Sequence, residues 1–276
     1  MKNKKTSKFP LFIFFMNCFV LYSVFSEIVA AVGDYLTHGK LEILLSSLLF
    51  KMGFLLVYYW GTKLAIYLIL PDEMEFVPAN LEEYPKLDIS LLQQYTLELE
   101  NLGFTKTLDY TIKTKKGKVY PAIARLFYHP QHHCIAEVNQ LFPVKGTSLP
   151  VGCVLSSFIE DGWSFSSTDR EPDGISYIMR RPKSLGTTHP DTFPVNLLDL
   201  HISRRKEIIE KLQLPLVTNV SPYQYFINEQ NENKNRKRAL LKKNLFIGIA
   251  EAALFSIKPK YEWVGELPKG VLQKKA

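Results

Sequence analysis

Two long apolar runs open the chain, and they dominate its hydrophobic pattern. The first extends from Phe9 to Val32 and is broken by Asn17 and Glu27. The second covers 28 residues from Ile43 to Leu70, is interrupted by Lys51 and Lys63, and stops at Pro71. Roughly 20 apolar residues are enough for a helix to cross the hydrocarbon core of a bilayer. Lys51 and Lys63 lie about 18 Å apart on a helix, so their ends can reach opposite interfaces. Tyr58, Tyr59 and Trp60 then fall near one interface, where amphipathic rings settle. A signal peptide is the alternative for the first run, with Ala31-Val32-Gly33 as its cleavage site. Its apolar core from Phe9 to Phe25 exceeds the roughly 7–15 residues usual for one. The pattern therefore predicts a two-helix transmembrane hairpin over residues 1–71, with spans at about 9–32 and 43–70.

After Pro71 the pattern changes. Residues 72–100 carry eight acids and one lysine, and residues 72–87 read as an acidic linker. Asp88 can cap a helix that places Leu91, Leu92, Tyr95 and Leu99 on one side, and Gly103 in "NLGF" supplies its left-handed end. Short alternating runs follow at 104–114, 118–128, 133–142, around 151–159, in "WSFSST" and in "ISYIMRRP", the first two joined by a turn at "KKG". Residues 194–212 begin with Pro194 and put Leu198, Ile202, Arg205, Ile209 and Leu212 on one stripe. Residues 222–257 read as helix with a polar first half and an apolar end. The predicted class is α+β: the hairpin, then a domain at 88–276 with an antiparallel meander of about six strands and flanking helices.

Charge changes the picture in one respect. The formal net charge is +7, yet ten of the basic residues sit in two patches free of acid, residues 1–8 and 234–243. The other 24 are outnumbered by 27 acids. A nucleic-acid binder spreads basic residues over a folded face and interleaves aromatics among them, and this chain does neither. Lysines before the first run, against one in the loop that follows it, place the N-terminus and the C-terminal domain in the cytoplasm. Lys234, Arg236, Lys237, Arg238, Lys242 and Lys243 are then candidates for contact with anionic lipid headgroups. Three cysteines without a CxxC pair fit a reduced compartment.

Candidate chemistry is sparse. "FYHPQHHCIAEV" holds three histidines and a cysteine, but a strand sends His133 and Cys134 to opposite faces and no second cluster completes a metal site. The turn reading is preferred, with no metal and no cofactor. His133 and Glu137 on one strand face could form an acid–base pair. His201, near the apolar stripe of its helix, reads first as a buried histidine with a local partner. With Arg204 or Arg205 it could hold an anionic group if that helix covers the sheet. Trp163 and Asp169 bracket a hydroxyl-rich hairpin and are further ligand-binding candidates. No GxSxG, Walker loop, GxGxxG or HExxH occurs in the sequence.

The stretches "NLGF", "FYHP", "CIAEVNQLF", "SFIEDGWSFSST", "RRPKSL" and "LLDLHISRRKEII" resemble a family of uncharacterised, membrane-anchored bacterial proteins, mainly cyanobacterial, over about residues 100–212. The resemblance implies a plasma or thylakoid-type membrane and no particular reaction. The expected function is that of a membrane-anchored cytoplasmic module that binds a protein partner or senses a ligand, in the assembly or regulation of a membrane complex. The alternative is a membrane-tethered enzyme with His133, Glu137 and His201 between sheet and helix.

Overall fold

The computed structural model describes residues 74–114, 121–143, 148–172, 183–242 and 244–262, with 177 and scattered positions between 22 and 67. In chain order the elements are β1 (Met74–Pro78), α1 (Ile89–Asn101), β2 (Thr105–Thr114), β3 (Ala122–His129), β4 (Cys134–Leu141), β5 (Gly152–Ile159), β6 (Trp163–Thr168), β7 (Ser184–Thr188), α2 (Pro194–Leu212), α3 (Pro222–Lys242) and α4 (Leu245–Ile257). The strands form one sheet in sequence order, β1 to β7. All neighbours are antiparallel except β6 and β7. The α+β class and the antiparallel sheet are as the sequence pattern predicts.

The transmembrane hairpin is not. Among the described residues no helix is long and apolar enough to cross a membrane. The spans assigned to 9–32 and 43–70 lie largely outside the described residues. Placement as an integral membrane protein with both N-terminus and C-terminal domain in the cytoplasm is withdrawn with the hairpin.

The chain divides into two compact units. One comprises Met1–Leu70, Gly174–Met179 and Lys237–Pro259; the other comprises Pro71–Asp173, Arg180–Arg236 and Lys260–Ala276. In the first, Tyr177 stacks on Phe255 at 4.8 Å, and the Lys237 ammonium sits 3.8 Å above the Tyr67 ring. Large apolar side chains stand exposed in this unit, among them Phe25, Phe50, Val57, Trp60, Leu254 and Ile257.

The second unit holds the sheet, and strand alternation divides its core in two. On one face Ile123, Phe127, Cys134, Ala136, Val138, Cys153 and Leu155 meet Leu92 and Leu99 of α1 and Leu197 and Leu198 of α2. Toward β6 and β7 the same layer continues through Ile159, Trp163, Phe165 and Leu185 against Ile208 and Leu212 of α2. On the opposite face Tyr110, Ala124, Leu126, Ile135 and Phe158 pack against Val220, Tyr225 and Phe226 at the start of α3.

Local signals explain the helix ends. The Asp88 carboxylate accepts from the Leu91 amide at 3.0 Å, and Gly103 takes the positive φ of +91° that lets the chain leave α1 for β2. Pro194 opens α2, where its missing N–H has no intrahelical partner to lose. The single helix expected over 222–257 is two, because Asn244 starts a new one: Gly248 N–H bonds to its carbonyl and Ile247 N–H to its side chain. Residues 74–78, assigned to the acidic linker, form edge strand β1. "SLGTT" forms β7, whereas the strand assigned to "ISYIMRRP" lies outside the described residues except for Tyr177, which is helical. The turn assigned to "KKG" also lies outside them.

Candidate functional site

His201 lies on α2 against β5 and β6 and is 0% exposed. Ser157 on β5 and Ser167 on β6 bond its two ring nitrogens, Nε2 at 2.8 Å and Nδ1 at 2.9 Å. Ser167 continues to Thr187 on β7 at 2.9 Å, and the Arg205 guanidinium donates to Ser157 Oγ at 2.9 Å. One assignment uses each donor once: Arg205 to Ser157, Ser157 to Nε2, Nδ1–H to Ser167, and Ser167 to Thr187. Phe165 stacks on the ring at 4.8 Å. Burial, reinforced by the Arg205 charge, pushes the His201 pKa down to about 3. The imidazole is therefore neutral, sealed and fully bonded, and no solvent-borne substrate reaches it.

The other sheet face carries a second polar group. Glu137 on β4 accepts from the Tyr110 hydroxyl at 2.5 Å and the Tyr225 hydroxyl at 2.7 Å. Asn139, two residues along the same face, donates to Glu137 and accepts from Arg170, whose Nη2 also reaches the Asn139 carbonyl at 2.8 Å. Burial raises both phenols well above their ordinary pKa, the negative Glu137 adding to it. Arg170 lies across Gly152: a Cβ on that glycine would meet Arg170 Nε at 2.5 Å. This Nε is buried with no hydrogen-bond partner among the described residues. Asp169 turns the other way, accepting from Tyr95 at 2.6 Å and from the Cys153 amide at 2.9 Å. Burial is the largest influence on Asp169 and lifts its pKa.

His133 belongs to neither group. It sits in the β3–β4 turn at φ +48°, with Nδ1 3.3 Å from the Tyr128 hydroxyl. The acid–base pair with Glu137 does not form. Four strand residues span about 13 Å, and Glu137 already has three partners. Glu137 and His201 also face opposite sides of the sheet. Thus the three residues of the enzyme reading are not brought together.

The ligand-binding candidates separate similarly. Trp163 is buried in the core against α2. Arg204 pairs with Glu207 and Glu262, and hydrogen bonds to Glu262 hold its charge. Arg205 is buried and has no ion pair among the described residues. Of the basic run, Lys234, Arg238 and Lys242 are exposed at intervals of four on α3, while Lys237 is buried. The side chains of Arg236 and Lys243 lie outside the described set.

Of the turn histidines, His129 is buried and committed: Nε2–H donates to the Leu102 carbonyl at 3.0 Å, and Nδ1 accepts from the His132 amide at 3.3 Å. Burial lifts the Cys134 thiol to about 12 and Cys153 well above its ordinary value, so neither is a nucleophile near neutral pH. Among the described residues no three His, Cys, Asp or Glu side chains converge as a metal site. Sequence reasoning missed Tyr110, Tyr225 and Arg170, because β2, β4, α3 and the end of β6 meet only in the folded sheet.

Comparison with protein-family models, curated proteins and solved structures finds no match to this chain. None of these comparisons bears on the resemblance to the bacterial family.

Proposed function

We propose that the chain is an interaction or ligand-binding module, not an enzyme. The observation that carries this reading is the closure of His201, the best placed imidazole of the fold, at 0% exposure with both nitrogens bonded. General acid–base catalysis needs a group within hydrogen-bonding reach of its substrate, and burial denies His201 that reach. Glu137 is likewise held by two phenols and an amide. Exposed aromatic and aliphatic side chains in the first unit support a binding role, since patches of that kind mark contact surfaces.

Native mass spectrometry of the full chain, purified gently from its own cells, tests the reading. The expected spectrum contains a second polypeptide or a small molecule at fixed stoichiometry. A bare chain that turns over a substrate, and loses turnover but not fold in Glu137→Ala, would overturn it.

A further inference from the structure

The two edges of the sheet are finished differently. A strand edge offers backbone groups to any extended chain that reaches it. β1 is blunted from within: Pro78 has no N–H to offer, and the Gln230 side chain on α3 donates to the Met74 carbonyl at 2.8 Å. β7 reads "SLGTT", with neither proline nor charge. On its inner side the Lys183 carbonyl accepts from Ser164 N–H at 2.9 Å, and His189 N–H donates to the Thr168 carbonyl at 2.7 Å, so both flanks are tied to β6. Its outer side is covered by residues of the same chain that follow α4. Thr188 donates twice to the Tyr261 carbonyl, from its N–H at 2.7 Å and from its hydroxyl at 2.9 Å. Thr187 and Glu262 form an antiparallel bridge.

This cover is matched in charge and open to water. Arg204 on α2 pairs with Glu262. Glu262 also acts on His189, just past β7, where burial lowers the pKa and the carboxylate opposes that shift. The Glu262 side chain is nevertheless 43% exposed and Tyr261 is 40% exposed. An ion pair so exposed contributes little, and hydrogen bonds at a solvated edge open locally. We propose that the outer edge of β7, with Arg204 beside it, is a docking site for an extended, carboxylate-bearing segment of a protein partner, and that Tyr261 and Glu262 occupy it as an intramolecular competitor. The incoming segment adds as an antiparallel strand: its backbone takes the Thr188 donors and its carboxylate takes Arg204. Its affinity then scales with the fraction of chains whose own cover is off. The proposal rests on the binding-module reading and names the chemistry of the partner.

The test is fluorescence anisotropy of a labelled peptide with the chain's own sequence at 258–265, titrated with the full-length protein. Glu262→Lys sets a like charge against Arg204, frees the edge and should bind the peptide roughly fivefold tighter than wild type. Glu262→Gln removes the pair without repulsion and should move affinity the same way by a smaller factor. Adding Arg204→Glu to Glu262→Lys rebuilds the pair with its charges exchanged and removes the peptide's own partner, so affinity should return to the wild-type value or below. Hydrogen exchange at the Thr188 amide should quicken in Glu262→Lys and slow again when peptide is bound. No saturable binding to either single variant with a wild-type thermal midpoint, or one affinity for all four proteins, overturns the docking edge. If that happens while a polypeptide still co-purifies with the wild type, the module reading survives and only the β7 edge falls.

Discussion

Burying an imidazole removes the water that would solvate its charged form, and His201 is the extreme case in this chain. Its pKa of about 3 when folded lies far below the 6.5 of an exposed histidine. Between those values the unfolded chain carries the proton and the folded chain does not, so lowering the pH favours unfolding. The stabilisation is complete above about 6.5 and fades toward 3, at up to about 1.4 kcal/mol per pH unit. Asp169 works in the opposite sense, since its raised pKa adds stability only on the acid side. The histidine contribution must therefore be read as a difference between proteins. Urea midpoints of wild type and His201→Gln should converge as pH falls from 7 to 4.5. Parallel curves would mean that His201 already titrates in the folded state. Gly152 offers a second test at this scale: Gly152→Ala forces a Cβ into Arg170 and should cost about 1–3 kcal/mol. An unchanged thermal midpoint would contradict the close passage of Arg170 over that strand.

Among the elements, α3 is tied to the sheet by Gln230, which donates to the Met74 carbonyl at 2.8 Å, and by a polar contact set in an aromatic cluster. Phe76 stacks on Phe226 at 4.5 Å and Tyr110 meets Phe226 edge-on at 5.0 Å, while Tyr225 reaches Glu137. Tyr225→Phe should destabilise the protein by about 1–2 kcal/mol and speed hydrogen exchange in the first turns of α3. In a double-mutant cycle with Glu137→Leu the two changes should not add, since each removes the same bond; strict additivity would refute the link. The helices α1 and α2 were legible in sequence because Asp88, Gly103 and Pro194 mark their ends and their apolar spacing is regular. Strands β2 to β6 were legible through alternation. The two flanking strands were not. Met74–Pro78 is short and lies among acids, and it exists by pairing with β2; Ser184–Thr188 is built of small residues and gains its place from β6. The Glu137 group was invisible for a similar reason: Tyr110 is 27 residues from Glu137 and Tyr225 is 88 away. A pairing that distant leaves no periodic trace.

At the scale of the whole molecule, the sheet is a partition. Its α1–α2 face encloses His201 and its other face encloses Glu137, so the chain's best acid–base groups cannot meet across one substrate. The apolar pattern of the first 70 residues predicts membrane spans, yet among the described residues no helix is long and apolar enough to cross a membrane; hydrophobicity over a window is necessary for a span and not sufficient. Large apolar side chains of the first unit, Phe25, Phe50, Val57 and Trp60 among them, stand open to solution. The most direct measurement is a pH titration of the histidine imidazoles by NMR in the full-length protein. A closed, non-catalytic His201 predicts one neutral ring, protonated at Nδ1, unshifted from pH 8 to about 4.5 and slow to exchange with water. A His201 ring that titrates near 6.5 and exchanges freely would put an accessible base beneath α2 and contradict the binding-module account.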